Sequence, residues 1–526
     1  MVKKILAVIT AVFCCTWANA QTPKWATDVA PILYNNCTSC HHDGGIAPFS
    51  LISYGSAVAY SSSIKIEVSL GKMPPWPPDR SYSRFAHERL LTATEISTIV
   101  DWINGGTPSG TLSMAPPEPV YTNTGAIPGT PDLVLKIPTY TSTADTGDIY
   151  QCFTIPSGLL TDKYIRAFEA IPGNPSIVHH VLVFADTTGK CASLDAAFLG
   201  PGYPDFGGVG SDSAFMVGVW VPGSDPMSFP PGFGLKIPRN ADIVVQVHYP
   251  AGSAGMIDST EIHFHFAPTT GIREVFMHSV LHHDFNMTNG PLVIPPNTVK
   301  TFHEKFSSVP IDVTLLGAFP HMHLLGQSIK SFVVRPAGDT DKLVRINEWD
   351  FHWQGFYMFS KLKKMPAGSE LYAEATYDNT ISNPHNPHNP PQLVTAGEAT
   401  SDEMMIVFFV FTSYKVGDEN IIVDSTVVSV PVNELKYYKG QQFLAVSPNP
   451  ASDAVVLKCH FDDADACSVE MVDMQGRIMR RFTNKEMIKK GYSALEYSVK
   501  GILPGNYSML IKTSERILVQ KVVIVQ

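Results

Sequence analysis

Between residues 131 and 420 the apolar residues of this chain come in short runs, each broken by Pro, Gly or Asn. Residues 177–184, 243–249, 262–266 and 404–411 are examples. Runs of that length, regularly spaced and bounded by turn formers, read as strands that bury one face and then reverse. The span is enough for two β-sandwiches, with a join near 256–260. Charged residues are few (16%) and Pro and Gly plentiful, which favours a loop-rich β chain over helical bundles. The fold class expected is mostly β: two sandwiches in tandem, a small helical unit before them and a small sandwich after them.

A chain of 526 residues exceeds what one core needs and suggests about three to four domains. Residues 1–20 read as an export signal. Lys3 and Lys4 precede an apolar run over 5–15, and Ala18-Asn19-Ala20 offers small residues for cleavage. A lipoprotein reading through Cys14 or Cys15 is weaker, because Val12 and Phe13 precede them. Export through the periplasm commits the other six of the eight cysteines to disulfides or cofactors. The net charge of -10 argues against nucleic acid, and no later stretch is apolar enough to span a bilayer.

Residues 21–115 form a first unit, in which Thr92 is an N-cap with Glu95 three residues on. Ile96, Ile99, Val100 and Ile103 follow at helical spacing until Gly105-Gly106. A Pro-rich linker occupies 116–130, the sandwiches 131–257 and 258–420, a second linker 421–442, and a third composition 443–526. No internal repeat of fixed short period is present.

The first unit holds Cys37-Thr38-Ser39-Cys40-His41. Two thiols at this spacing can form thioethers to a haem, and the following His can bind its iron. A zinc or disulfide pair is the other reading, but the chain has no second C-x-x-C. Met73 is the expected sixth ligand, since a thioether opposite His raises the potential; His42 and His87 compete. With Trp102-Ile103-Asn104-Gly105-Gly106, the block resembles a class of small bacterial cytochrome c domains. The resemblance implies one covalently attached c-type haem.

Six potential metal ligands follow down the middle of the chain: His179, His180, His248, His321, His323 and Met404. Three imidazoles suit a copper that changes oxidation state, whereas two imidazoles and a thioether favour Cu(I). His321 and His323 are two apart, so a strand would point both to one face. His179 and His180 are adjacent and would point apart unless the strand is bulged or strongly twisted there; such a distortion is expected. His263 with His265, and His282 with His283, are patterns of the same kind, which residue chemistry ranks only slightly lower. His385 and His388 sit in an Asn-Pro-rich stretch (383–391) that reads as an ordered loop.

Ser176-Ile177-Val178-His179-His180-Val181-Leu182-Val183-Phe184, residues 245–249, Phe319-Pro320-His321-Met322-His323-Leu324-Leu325-Gly326 and Thr400-Ser401-Asp402-Glu403-Met404 fall in a known order. Over roughly 131–415 the chain resembles the copper type II, ascorbate-dependent monooxygenases, the family of peptidylglycine α-hydroxylating and dopamine β-monooxygenases. The resemblance implies two jelly-roll sandwiches, an electron-transfer copper on the first and an oxygen-binding copper on the second. It assigns His179, His180 and His248 to the first ion. His321, His323 and Met404 fall to the second. Peptide-amidating members hold a substrate carboxylate with an Arg, an Asn and a Tyr where this chain has Phe319, Ile406 and Phe408. A buried carboxylate without such partners is costly, which points to an apolar or aromatic substrate, a small molecule or a peptide of another kind. Cys152 and Cys191 flank the His179 pair and are expected to form a disulfide, and Cys459 and Cys467 another.

Residues 443–526 resemble the C-terminal sorting domain of the type IX secretion system, through Ser447-Pro448-Asn449-Pro450-Ala451, Asp473-Met474-Gln475-Gly476-Arg477 and Pro504-Gly505-Asn506-Tyr507. A spacer or carbohydrate-binding sandwich is the alternative. The whole reads as a secreted or surface monooxygenase that hydroxylates a C–H bond with dioxygen. Its two coppers would be reduced by ascorbate or another donor, with the fused haem as a route for electrons. The rival reading is a non-catalytic haem/copper electron-transfer or copper-binding surface protein. A hydrolase is weaker still, since no nucleophile elbow or H-E-x-x-H motif is present.

Overall fold

The computed structural model describes residues 22–525 apart from 122–124, 206–207, 223, 269, 425–440, 448–449, 462–463, 474–476, 490 and 514–516. The export signal, most of the second linker and the Met474–Gly476 turn lie outside the described residues.

The N-terminal unit is helical. A short π-turn, Trp25–Val29, leads into helices Ala30–Asn36, Tyr54–Ala59, Ser61–Ser69 and Ala93–Asn104. The last begins on a complete capping box, Thr92 accepting from the Glu95 amide while Glu95 accepts from the Thr92 amide, and it stops at Gly105. Ile99 and Trp102, from its apolar face, meet Trp25, Leu33 and Val68 in a small core. Residues 74–88 then leave that unit as a strap across the second sandwich. Pro78 bridges to Ile346 and Phe85 to Phe359. Phe85 stacks on Phe359 with ring centroids 5.5 Å apart. Buried Asp79 accepts from Arg345 (2.9 Å) and Asn347 (2.9 Å).

The centre is β, as the run pattern requires. One five-stranded antiparallel sheet runs Tyr203–Pro204, Ile149–Pro156, Asp242–Tyr249, His180–Asp186, Phe215–Trp220. A nine-stranded sheet runs Leu133–Lys136, Glu261–Phe266, Lys163–Ile171, Phe233–Ile237, Arg273–His282, Ile406–Ser413, Val313–His321, Tyr357–Met365, with Met227–Ser228 beside Lys163–Ile171. Its first half faces the five-stranded sheet over one core, around Phe153, Phe168, Val245 and Phe264. Its second half faces a four-stranded sheet, Thr298–Phe306, Glu370–Asn379, Gly326–Val334, Thr340–Ile346, over another, around Phe302, Phe359 and Tyr377. Glu370–Asn379 shows why: Leu371, Ala373, Ala375 and Tyr377 alternate inward at period two.

The halves are fused through the sheet itself. Arg273–His282 pairs in parallel with Phe233–Ile237, and the chain crosses between halves after Glu261–Phe266. Arg273 secures the seam with two 2.7 Å hydrogen bonds to Asp418 while lying over the Phe233 ring.

The C-terminal module is a small sandwich. Gln441–Ser447, Ala454–Phe461 and Gly491–Ser498 form one sheet; Ile478–Arg481, Asp465–Asp473, Gly505–Lys512 and Ile517–Ile524 form the other. Leu457, Val469, Met471 and Ile511 fill the space between.

The expected disulfides are not formed. All six cysteines among the described residues are free thiols. Cys152 and Cys191 share a buried pocket with Tyr203 and Val209, but each Sγ turns to a carbonyl of one loop, Gly208 O at 3.8 Å and Val209 O at 3.2 Å. Cys459 and Cys467 turn likewise to Ser493 O (3.8 Å) and Asp465 O (3.5 Å). Carbonyl partners satisfy these thiols where pairing was expected.

Candidate metal centre

His248 is the last but one residue of its strand and lies directly across from His180. His180 opens the neighbouring strand, and His179 sits just outside it, its amide donating to His248 O at 2.9 Å. The two adjacent side chains reach one side because the ladder begins between them. The paired register runs without a shift as far as His180, so the distortion expected here falls at the end of the ladder. A strand end does what a bulge was expected to do.

The three Nδ1 atoms converge. His180 Nδ1 is 3.4 Å from that of His179 and 3.3 Å from that of His248. Imidazole nitrogens bound to one ion at ~2.0 Å take this spacing. His248 Nε2 is 3.2 Å from Asp148 Oδ2, and Tyr150 stacks on its ring at 4.3 Å. Thr400, from the second half of the chain, donates to the same carboxylate at 2.6 Å. A carboxylate on the far nitrogen fixes tautomer and ring direction, as it does behind metal-bound histidines. Burial and the neighbouring His248 and His352 push the pKa of His179 down to about 3. Burial and the surrounding imidazoles also push His180 well below its ordinary value. Neutral rings with exposed lone pairs are what a metal needs.

The second set uses the opposite nitrogens. His321 ends its strand and hydrogen-bonds through Nδ1 to Gln354 Oε1 at 2.6 Å; His323 Nδ1 reaches Asp402 O at 3.1 Å. Each is thereby oriented with Nε2 left to bind. Burial pushes their pKa values down to about 4 and about 3. His321 pairs with Ile406, so Met404, two residues earlier on the antiparallel partner, stands at the level of His323. Met404 precedes the regular strand, which starts at Ile406, and is 7% exposed.

Glu403, which residue patterns did not single out, holds this arrangement. It is wholly buried and accepts from the amides of His323 (3.0 Å), Leu325 (2.6 Å) and Met404 (3.3 Å). Tyr377 adds a 2.7 Å bond to Met404 O. Burial pushes the Glu403 carboxyl up to about 8. Only its place between Asp402 and Met404 could have drawn attention to it.

Both sets open on one cavity of about 560 Å³, lined by His179, His180, His321, His323 and Met404. Phe351 spans the gap, stacked on His179 at 5.2 Å and edge-on to His323 at 5.8 Å. Phe319, Ile406 and Phe408, the three departures noted in the sequence, line the same cavity. His278, His282 and His352 also reach it. The pair His263 and His265 is elsewhere, held by Glu261 and Arg166. His385 and His388 lie in a loop stapled by Asn383 and Asn386.

In the helical unit Cys37 caps the first helix, and the His41 amide donates to Cys37 O at 3.0 Å, closing the motif into a turn. His41 Nδ1 is fixed by Phe49 O at 3.1 Å, which leaves Nε2 as the nitrogen that could take a ligand role. Met73 lies in the turn beyond Ser61–Ser69, its amide donating to Glu67 O. His42 is stacked on Tyr121, and exposed His87 lies 3.9 Å from Asp424. Cys40 lines a cavity of about 360 Å³ together with Glu169 and Trp220 of the first sandwich.

Two sets of imidazoles face one cavity of a β-sandwich protein, and His179, His180 and His248 are close enough together to hold a metal ion. Residues 287–439 match the family described as copper type II ascorbate-dependent monooxygenase, C-terminal domain, and 445–525 match the secretion system C-terminal sorting domain. The second sandwich is thus similar to the C-terminal domain of the copper type II ascorbate-dependent monooxygenases, and the chain ends in a type IX sorting domain, which marks it as secreted or cell-surface. It is 23% identical over 253 residues to DBH-like monooxygenase protein 1 of Gallus gallus, covering 45% of this chain and 39% of the relative. It is likewise 23% identical over 291 residues to putative DBH-like monooxygenase protein 2 of Homo sapiens, covering 50% and 53%. The chain thus spans about half or less of the length of these relatives. Among solved structures, PNGase F from Flavobacterium meningosepticum aligns over 54% of this chain and 97% of its own at 10% identity and a TM-score of 0.22, too slight a likeness to bear on fold or function. No helix among the described residues is long and apolar enough to cross a membrane.

Proposed function

We propose that this protein is a two-copper monooxygenase that hydroxylates a C–H bond of an apolar or aromatic substrate with dioxygen. The observation that carries the reading is the shared cavity, with one all-nitrogen set and one sulfur-containing set on its walls. His179, His180 and His248 would hold one ion, and His321, His323 and Met404 the other. Copper bound there supplies the one-electron redox chemistry that activates dioxygen. The chain's own part is geometric. Asp148 orients His248, Gln354 orients His321, and Glu403 keeps the His323 and Met404 segments in register. Phe319, Ile406 and Phe408 give the substrate an apolar wall and offer nothing to a carboxylate, which argues against a glycine-extended peptide.

The decisive measurement is product analysis by mass spectrometry under isotopic dioxygen, over a panel of apolar and aromatic compounds. One labelled oxygen atom per product is expected, and Met404→Ala should lower turnover at least ~100-fold, in line with the loss of a ligand that sets the metal's softness. Robust turnover of a glycine-extended peptide would refute the substrate class. Reduced, copper-loaded protein that consumes no oxygen would favour the electron-transfer reading.

Cys37 and Cys40 would attach a c-type haem, with His41 and Met73 as its axial ligands. Ascorbate is the donor the family implies, and a tethered haem would hold a second carrier at high local concentration beside the first copper set. Undiminished turnover of His41→Ala with ascorbate and with other reductants would remove the haem from that route.

A further inference from the structure

We propose that His282, His283 and Asp284 form a third site for a divalent transition metal, which uses none of the six copper-set residues although His282 lines the cavity they share. The function proposed above does not use these residues. Their ligand atoms all lie within 4.8 Å of one another. The two rings are stacked at 4.5 Å, and the Asp284 carboxylate reaches toward both, Oδ2 standing 3.6 Å from His282 Nδ1 and Oδ1 3.6 Å from His283 Nε2. Those separations are too long for hydrogen bonds but short enough for donors that share an ion, which would displace the 3.2 Å bond that the Asp284 amide donates to His282 Nδ1.

The local chain builds the cluster. Arg273–His282 ends at His282, so the next side chain is released from strand alternation, as happens at His179. The turn that follows is held by Asn286, whose amide donates to His282 O (3.0 Å) and whose Oδ1 accepts from the His282 amide (2.9 Å). Buried His283 lies with Nδ1 3.3 Å from Met405 O, which directs Nε2 toward Asp284. Burial lowers both imidazole pKa values, which keeps the rings neutral donors near pH 7. Asp284 is the exposed member at 58%, so an ion can enter from solvent on its side. Two imidazoles and one carboxylate suit Zn²⁺ or Cu²⁺, with coordination positions left for water.

Equilibrium dialysis of the full chain against Cu²⁺, with elemental counting, tests the site. The comparison is between variants, so it does not depend on whether the other two sets bind. The expected result is one ion fewer per chain in the double variant His282→Ala/His283→Ala than in the wild type. Asp284→Ala changes only an exposed side chain and should weaken one ion by about tenfold or more while leaving the melting temperature of the metal-free protein unchanged. Equal copper counts and affinities in wild type and both variants would overturn the proposal. So would the loss of two ions from the double variant, which would make His282 part of the His321 set.

Discussion

At the scale of single residues, Glu403 shows how much of a candidate metal centre lies outside the residues proposed to bind. Its carboxyl takes three buried amides, two of which belong to the proposed ligands His323 and Met404. Both of its oxygens accept, Oε1 from the Leu325 amide and Oε2 from those of His323 and Met404, so a side-chain amide of the same shape would set its NH2 against a buried N–H. Glu403→Gln should therefore lose about 1–3 kcal/mol in chemical unfolding, the cost of one unsatisfied buried donor. Glu403→Ala, which orphans three buried N–H groups, should lose ~3 kcal/mol or more. Equal losses in the two variants would show that shape counts for nothing and that a pair of accepting oxygens is all the residue provides.

At the scale of elements, strand ends account for features that uninterrupted alternation would forbid. His179 with His180 and His282 with His283 are adjacent pairs, and each straddles a ladder terminus where neighbouring side chains need not diverge. The strap over residues 74–88 is the other element-level device. It carries the helical unit onto the second sandwich through Phe85, which is 1% exposed, and through Asp79 with Arg345. Asp79→Ala should cost ~1–3 kcal/mol, the half-exposed Arg345 softening the penalty of a broken pair. Limited proteolysis should then cut within 74–88 well before the sandwiches. An unchanged cleavage pattern would mean that aromatic packing alone holds the strap.

At the scale of the molecule, the cavity places buried imidazoles from both sandwiches face to face. The fold holds His179, His321 and His323 neutral, with pKa values near 3 to 4, whereas an unfolded chain protonates its histidines near 6.5. Below pH 6.5 the unfolded state binds more protons, so stability is full above that pH and falls progressively toward pH 4. The melting temperature of the metal-free protein should drop across this window, and a flat profile would mean that the rings protonate in place.

Much of the fold and of the site was legible in the sequence. Short apolar runs bounded by turn residues, the capping box at Thr92 and Glu95, and the compositional breaks before and after the sandwiches follow from periodicity and local backbone preference, which act over a few residues. Six candidate ligand positions and three apolar departures could be named from ordered motifs; the structure groups His179, His180 and His248, and it lines one cavity with His321, His323, Met404 and those apolar residues. What only the tertiary structure decided depends on pairings between distant segments. These are the parallel seam that fuses the sandwiches, the strap of residues 74–88, the thiols turned to carbonyls, and the clamps at Asp148 and Glu403. The physical reason is that local chemistry fixes which side chains can share a face, while register and burial across the whole chain select which faces meet.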